Sequence, residues 1–146
     1  MVVHPLTLHA TAPGAIDYRI SPPVNNDLLT MLFTSTWPSH TPVDFPAQRR
    51  HSLLYVCAYA GQSELVGFVN VAWDGGIHAF LLDTTVHPAW RRRGIGRALV
   101  QQATQAARDR GMAWLHVDYE PHHDAFYRAC GFVPTLAGLI RLTPPP

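Results

Sequence analysis

A chain of 146 residues can bury a substantial hydrophobic core, and we expect one domain over residues 1–146. Its composition, with 47% hydrophobic and 14% charged residues, is typical of a compact protein and excludes an intrinsically disordered one. The formal net charge of +1 gives no support to a nucleic-acid or membrane partner, and we expect neither.

The sequence carries no recognisable targeting or membrane-spanning signal. No apolar run reaches the roughly 18 residues that a membrane span needs. The N-terminus lacks the basic and apolar regions of a secretory signal, which predicts a cytoplasmic protein. Cys57 and Cys130 are then expected as reduced thiols. The nine histidines are scattered along the chain, so no metal site is predicted.

The first elements predicted along the chain are a strand and a helix. Residues 1–14 show little periodicity and are expected to be irregular or to add a short strand. Alternation of apolar and polar residues predicts a strand over 16–20. Apolar residues at helical spacing follow Asn25 and Asn26, either of which can cap a helix, and Trp37 with the proline after it ends that helix.

The middle of the chain predicts an antiparallel meander. Three runs rich in apolar residues cover 52–59, 65–73 and 78–86, and short glycine-containing turns join them. Strands joined by such short turns must be antiparallel neighbours. Pro88 ends the third run, because proline has no N–H to give to a strand ladder.

A basic turn with two glycines leads from this last strand into a helix predicted over 94–110. The helix's first N–H groups have no partners within the helix, and its dipole adds partial positive charge. Gly94 and Gly96 lack a Cβ, so a phosphate can approach the backbone, and the arginines add charge and forked donors. The sequence therefore predicts a phosphate site in the stretch Arg91-Arg92-Arg93-Gly94-Ile95-Gly96-Arg97.

The chain then returns to the sheet. Residues 113–119 predict a fifth strand that is parallel to the fourth, because a helix connects the two. A short helix over 124–130, a last strand over 139–142 and an irregular tail at 143–146 complete the prediction. The expected fold class is α/β (α+β), with a mixed, mostly antiparallel central sheet flanked by helices.

Residues 91–97, here called the phosphate turn, fit one of three familiar phosphate-binding patterns. The P-loop needs a lysine and a hydroxyl after its second glycine, where this chain has Arg97 and no hydroxyl. The dinucleotide fingerprint needs a third glycine, where this chain has Leu99. Residues 91–96 instead fit the Arg/Gln-x-x-Gly-x-Gly/Ala loop of the GCN5-related N-acetyltransferases without a gap. The flanking residues from Val86 also resemble that family's signature.

The resemblance extends over about residues 16–142 and implies acetyl-CoA as the cosubstrate. In that family strands four and five splay apart at a bulge, and the pantetheine arm pairs with the exposed backbone of strand four. Thr84 and Val86 would make that contact here. The resemblance further implies that the pyrophosphate lies on the phosphate turn, with cofactor-binding residues Arg91, Arg92, Arg93, Gly94, Gly96 and Arg97.

The family also walls its acceptor site with the segment after the first helix. In this chain the corresponding segment is the irregular stretch 39–48, a loop with room for one helical turn. The resemblance makes Trp37, Phe45 and His51 the candidates for substrate binding. Two further candidates in the same stretch are His40 and Asp44.

A second resemblance lies at 125–132, where a tyrosine on a short helix is followed by Gly-Phe. By this resemblance Tyr127 would be the general acid that protonates the departing thiolate. Relatives often carry an asparagine just after strand five. This chain has Glu120 there, which makes Glu120 a candidate base for the proton of an ammonium substrate. The alternatives for that base are Asp83, His116, Asp118 and His122.

The sequence thus predicts an N-acetyltransferase that moves an acetyl group directly from acetyl-CoA to a primary amine. We expect a small-molecule acceptor, with a protein N-terminus or lysine as open alternatives. The alternative function is a non-catalytic acyl-CoA-binding module of the same fold. Exposed edge strands would permit pairing into a homodimer.

Overall fold

The computed structural model describes residues 14–39 and 41–145, so the predicted lead-in up to residue 13, His40 and the last residue lie outside the described part. The described part forms one sheet with helices against it. In chain order its elements are β1 (Ile16–Ile20), α1 (Asn26–Thr36), α2 (Phe45–Arg49), β2 (Ser52–Ala60), β3 (Glu64–Trp73), β4 (His78–Val86), α3 (Ile95–Asp109), β5 (Trp114–His116) and α4 (Asp124–Ala129), with 3₁₀ turns at Pro88–Trp90 and Pro121–His123.

The sheet has the strand order β1-β2-β3-β4-β5, which confirms the predicted mixed sheet. The first four strands are antiparallel neighbours, whereas β4 and β5 are parallel. Only residues 78–80 of β4 pair with residues 114–116 of β5. Because β4 continues to Val86 while β5 ends at His116, the two strands separate at their C-terminal ends. The fifth strand is therefore shorter than the predicted 113–119.

A bulge interrupts β4 at residues 83–84, beyond its last pair with β5 at Phe80. Phe68 of β3 faces Thr85, but Asn70, two residues on, faces Leu82, so β4 contains one more residue than β3 in this interval. Asp83 takes a left-handed backbone conformation with φ 59°. The hydroxyl of Thr85 donates a hydrogen bond to the carbonyl of Asp83 at 2.8 Å and supports the bulge.

Each face of the sheet has its own hydrophobic cluster. One stripe of α3, including Leu99, Val100 and Ala103, packs against one face, because the apolar residues of this helix recur at helical spacing. On the opposite face, α1 and α2 bring Phe33 and Phe45 against Phe68 of β3. The described helices include none with the length and apolar character needed to cross a membrane.

Two capping side chains define the helices before β2. Asn25, one of the two predicted caps, accepts a hydrogen bond from the N–H of Asp27 at 2.6 Å. Asp44 accepts from the N–H of Ala47 at 2.9 Å and begins α2, the single helical turn for which the 39–48 stretch had room. Asp44 therefore has a structural role as a helix cap.

The strand predicted over 139–142 is wrong. Residues 133–145 contain no helix or strand, and all of them are exposed. A strand exists only when a neighbouring strand accepts and donates its backbone hydrogen bonds, and residues 139–142 pair with none of the described strands. The apolar sequence pattern is present without such pairing.

One glycine lets α3 lie close to the sheet. A Cβ on Gly67 of β3 would come within 2.9 Å of Leu99 Cδ1, 3.2 Å of Ile95 Cγ2 and 3.3 Å of the Ala58 Cβ. Both of the first two contacts lie in the first turns of α3. The absence of a side chain at this position therefore fixes the depth at which the start of α3 is held against β3.

Gly67→Val is expected to lower the free energy of unfolding by about 1–3 kcal/mol, because the branched side chain overpacks the contact with α3. Gly67→Ala should have a smaller effect of the same sign, since only one carbon must be accommodated. Thermal or urea unfolding of the three proteins measures this series. Equal stability of the valine variant and the wild type would contradict the close contact.

Candidate active site

The turn between β4 and α3 leaves the first N–H groups of the helix open to a ligand. Gly94 precedes α3 with φ 77°, a left-handed conformation that glycine adopts without strain, and no side chain caps the helix. Arg92 is also left-handed, with φ 59°. The uncapped N–H groups and the positive end of the helix dipole together favour a bound anion.

A cavity of about 430 Å³ lies beside this turn, between the separated end of β4, the start of α3 and α4. It contains all but one of the residues that the sequence predicted for cofactor binding, together with the predicted general acid. It also contains four residues that the sequence reasoning did not assign. The lining residues are Thr84, Val86, Trp90, Arg91, Arg92, Gly94, Ile95, Gly96, Arg97, His123, Phe126 and Tyr127.

Arg93 is the predicted cofactor residue that does not line the cavity. Its guanidinium lies over the ring of Trp90, 4.7 Å from the ring centroid. Because Trp90 itself lines the cavity, Arg93 contacts the outer side of the wall. The sequence pattern of three arginines could not show which of them point into the site.

Gly96 keeps the floor of this cavity free. A Cβ at this position would lie 3.4 Å from the ring of Phe126 and 3.6 Å from Val86 Cγ2, which are ordinary contact distances. The absent side chain therefore leaves a narrow space that a larger residue would fill. The bare backbone at Gly96 and the side chains of Arg91, Arg92 and Arg97 belong to the same lining.

Tyr127 lies at the inner end of the cavity among aromatic rings. Its ring stacks on Tyr119 with centroids 4.7 Å apart and meets Phe126 and Phe132 edge to face at 4.9 and 5.8 Å. Burial is the main cause that raises the pKa of the Tyr127 phenol, and the nearby Thr84 hydroxyl opposes it. The phenol is therefore protonated at neutral pH and can give a proton.

The Thr84 hydroxyl lies near the phenol of Tyr127 and tends to lower its pKa. Its buried Oγ1 makes no hydrogen bond within the described chain. Such an unsatisfied buried hydroxyl is uncommon in folded proteins.

A second cavity, of about 250 Å³, opens on the opposite side of β4. Its walls are mainly aromatic: the Phe33 ring lies 5.3 Å from Trp37 and 4.8 Å from Phe45. Asp83 is its acidic residue, and Gln48 Nε2 donates to Asp83 Oδ2 over a long 3.4 Å. Its lining residues are Phe33, Trp37, Val43, Phe45, Gln48 and Asp83.

The structure separates the candidate residues into those that meet a cavity and those that do not. Trp37 and Phe45, two of the residues predicted for substrate binding, line the smaller cavity. His51 and Glu120 are exposed and line neither cavity.

Gln48 was missed because it belongs to a short helix whose orientation the sequence does not show. Phe126 was missed as well, although its position next to Tyr127 in the sequence was a signal that could have placed it in the larger cavity.

The two cysteines are free thiols. Burial raises the pKa of Cys57 to about 12, and burial also raises that of Cys130. Cys130 is a poor thiolate nucleophile for that reason and does not line the larger cavity. Residues 14–39 and 41–145 contain no group of three or more histidine, cysteine or acidic side chains placed to hold a metal ion.

Known acetyltransferases are similar to this chain in sequence and in fold. The chain is 31% identical over 71 residues to an uncharacterized N-acetyltransferase, ycf52, of Pyropia yezoensis, a match that covers 49% of this chain and 41% of that one. The chain thus matches less than half the length of this curated relative.

The fold matches known structures along most of the chain. A GNAT-family acetyltransferase of Streptococcus pneumoniae TIGR4 aligns with a TM-score of 0.75 and 23% identity, over 88% of this chain and 98% of that one. Aminoglycoside N-acetyltransferase AAC(6')-Iy, solved in complex with CoA, aligns with a TM-score of 0.70 and 19% identity, over 88% and 95%. At these identities the likeness shows the fold alone.

The model of the acetyltransferase (GNAT) family matches residues 24–132. This range begins just before α1 and includes both cavities, the phosphate turn and Tyr127. The match therefore covers the larger part of the chain and every element that forms the candidate site, and this chain belongs to the acetyltransferase (GNAT) family.

Proposed function

We propose that this protein transfers the acetyl group of acetyl-CoA to the primary amine of a small molecule. The observation that carries the proposal is that the two cavities meet at β4. Asp83 lines the smaller cavity and Thr84 lines the larger one. Their Cα atoms are about 3.8 Å apart, as in any pair of consecutive residues. A cosubstrate on one side of the strand and an acceptor on the other would meet here.

The residues of the larger cavity fit acetyl-CoA, which when bound supplies an activated thioester. The N–H groups at the start of α3, with Arg91, Arg92 and Arg97, would hold the pyrophosphate. Thr84 and Val86 have backbone groups on the side of β4 that β5 leaves uncovered, and these would hold the pantetheine arm. Arg93 would act indirectly, by holding Trp90 in the cavity wall.

Tyr127 is proposed as the general acid. A leaving thiolate needs a proton or a hydrogen-bond donor, and a phenol that burial keeps neutral can supply either. The surrounding aromatic rings exclude water from one side of the phenol and fix its direction. Cys130 needs no part in this chemistry, because the amine attacks the thioester directly.

Asp83 is proposed as the group that binds the ammonium and takes its proton. A free alkyl amine has a pKa near 10.4, so at neutral pH it arrives protonated and must lose a proton before it can attack. Asp83 faces the smaller cavity, whereas Glu120 is exposed outside both cavities. Phe33, Trp37 and Phe45 would contact the rest of the acceptor, and the limited volume favours a small apolar amine over a peptide.

The test of this function is a calorimetric titration with acetyl-CoA, with CoA, ATP and NADH as controls, followed by thiol release on a panel of small primary amines. Binding of acetyl-CoA and CoA but not of ATP or NADH, with turnover on at least one amine, is expected. Binding without turnover on any amine would favour the non-catalytic acyl-CoA-binding module. No binding of either CoA species would refute the proposal.

Gly96→Glu should abolish CoA binding, because the side chain fills the cavity floor and brings a negative charge to the phosphate site. Gly96→Ala is the matched control: its Cβ would make only ordinary contacts, so binding should stay within about tenfold of wild type, a change of about 1.4 kcal/mol. Calorimetry on both variants, with circular dichroism to verify folding, measures the effect. Normal CoA binding by a folded Gly96→Glu protein would remove the turn from the site.

Tyr127→Phe should lower kcat by about 100-fold or more through loss of the proton donor. Its affinity for CoA should stay near that of the wild type, since the ring remains. Tyr119→Phe is the matched control, because Tyr119 lies on the same aromatic stack but its hydroxyl donates to Asp124 at 2.9 Å. Unchanged kcat in Tyr127→Phe, or an equal loss in both variants, would exclude Tyr127 as the acid.

Asp83→Asn should lose most of its turnover at pH 7 and recover part of it towards pH 9.5. The sign follows from the acceptor: without the base only neutral amine reacts, and below its pKa the neutral fraction rises about tenfold for each pH unit. Asparagine tolerates the left-handed backbone at this position, so the fold should survive. Glu120→Gln is the control and should behave like wild type. The reverse pattern would assign the base to Glu120.

A further inference from the structure

The smaller cavity has a polar end and an apolar end. The polar end lies at β4, where the Asp83 carboxylate accepts a hydrogen bond from Gln48 Nε2 over 3.4 Å. A molecule whose amine lies at Asp83 would therefore place its remaining atoms against apolar and aromatic side chains. The described residues of this apolar end are Phe33, Trp37, Val43 and Phe45.

The three aromatic rings of the apolar end are tilted against one another. The ring of Phe33 meets Phe45 at an interplanar angle of 63° and Trp37 at 56°, with centroids 4.8 and 5.3 Å apart. Aromatic rings prefer such edge-to-face contacts to a face-to-face sandwich. A ligand with an aromatic ring can add to this arrangement, whereas an aliphatic ligand of similar size gains only the burial of its surface.

Trp37 is the aromatic residue of the wall that has accessible surface to offer. Phe33 and Phe45 are 4% and 1% exposed, because both also pack in the core around Phe68. Trp37 lies directly after α1 and is 42% exposed. Phe33 and Phe45 therefore hold the wall in place, and a substitution of Trp37 removes ligand contacts with little loss of core packing.

The volume of the cavity fits one ring and a short linker. An apolar cavity of about 150 Å³ can hold one benzene molecule. The smaller cavity has about 250 Å³, so a ring leaves room for the few atoms that reach the carboxylate of Asp83.

Asp83 is the one charged side chain among the described residues that line the cavity. A single carboxylate balances a single ammonium, so a second ammonium on the same molecule would lie against apolar side chains without a partner, which is unfavourable. A carboxylate on the molecule would meet Asp83 with a like charge. The charge of the cavity therefore fits a monoamine without an acidic group.

We propose that the acceptor is an arylalkylamine, a primary amine joined by a short aliphatic linker to one aromatic ring, with no second charge. Its ammonium would bind Asp83 and its ring would contact Trp37, which makes Trp37 the residue that distinguishes aromatic from aliphatic amines. This inference rests on the proposed acetyl transfer, because it names the acceptor of that reaction. The selective binding that it predicts is measurable without turnover.

In the transfer to this acceptor the ammonium gives one proton to Asp83, and the neutral nitrogen attacks the carbonyl carbon of the thioester. The N–C bond forms and the C–S bond breaks, with the electron pair of the C–S bond leaving on sulfur. The thiolate takes a proton from Tyr127, which regains one from the second proton that the nitrogen loses. The products are the N-acetyl amine and CoA, and the proton on Asp83 passes to solvent.

The first experiment measures binding by chemical-shift titration of the ¹⁵N-labelled protein, with and without saturating CoA, using the backbone N–H signals of the residues that line the cavity. Phenylethylamine should bind about two- to tenfold more tightly than cyclohexylethylamine, which has the same charge and linker but no aromatic ring. Cadaverine, a diamine, and phenylalanine, which adds a carboxylate, should each bind at least about tenfold more weakly than phenylethylamine.

Trp37→Leu should remove the preference for phenylethylamine over cyclohexylethylamine. Trp73→Leu is the matched control, because Trp73 is also 42% exposed but lines neither cavity, so its preference should be that of the wild type. Circular dichroism verifies that both variants fold. The proposal is overturned if the wild type does not bind phenylethylamine, if it binds cyclohexylethylamine or cadaverine equally well, or if Trp37→Leu keeps the preference.

The second experiment measures kcat/KM for the same four compounds by thiol release from acetyl-CoA, and the order of kcat/KM should follow the order of affinity. The expected binding pattern without any thiol release would refute the proposed transfer and leave the arylalkylamine site in place. Thiol release that is as fast with cyclohexylethylamine or cadaverine as with phenylethylamine would refute the arylalkylamine site and leave the transfer in place.

Discussion

Strand β4 changes its pairing with β3 at Asp83 and Thr84, and the rest of the candidate site depends on that change. Thr85 supports the bulge through its hydroxyl, and Asp83 within it has a left-handed backbone. The consecutive residues Asp83 and Thr84 line the smaller and the larger cavity, respectively. β4 leaves β5 after Phe80, before the bulge, and the larger cavity lies beside the end of β4 that β5 does not cover.

Two glycines fit the first turn of α3 between the sheet and the cavity. Gly67 lets the inner side of this turn approach β3, and Gly96 leaves its outer side without a side chain. The lack of a side chain at Gly67 therefore sets how close the helix N-terminus lies to the sheet, and the lack of one at Gly96 keeps that N-terminus accessible from the cavity. A phosphate can reach uncapped N–H groups only when the helix lies deep enough and its surface is bare, so these two positions act together on the same site.

The proposed acid and base work in contrasting surroundings. Tyr127 is enclosed by aromatic rings that keep its phenol protonated, whereas Asp83 lies beside the polar Gln48 at the edge of the acceptor cavity. Asp83 lines the smaller cavity and Tyr127 the larger one, so the proposed acid and base would approach the reacting atoms from different sides of β4.

The sequence by itself determined most of the helices and strands and the glycine-containing turn before α3, because periodicity, proline and glycine act locally. Strands β2 to β4, helix α3 and the turn with Gly94 and Gly96 follow from such local patterns. Only the tertiary structure decided which arginines enter the cavity, that Glu120 remains exposed outside both cavities, and that Asp83 faces an aromatic cavity. It also left residues 139–142 without the strand that their pattern favours. Contacts of this kind join residues far apart in the chain, and a strand needs a neighbour that its own residues cannot specify.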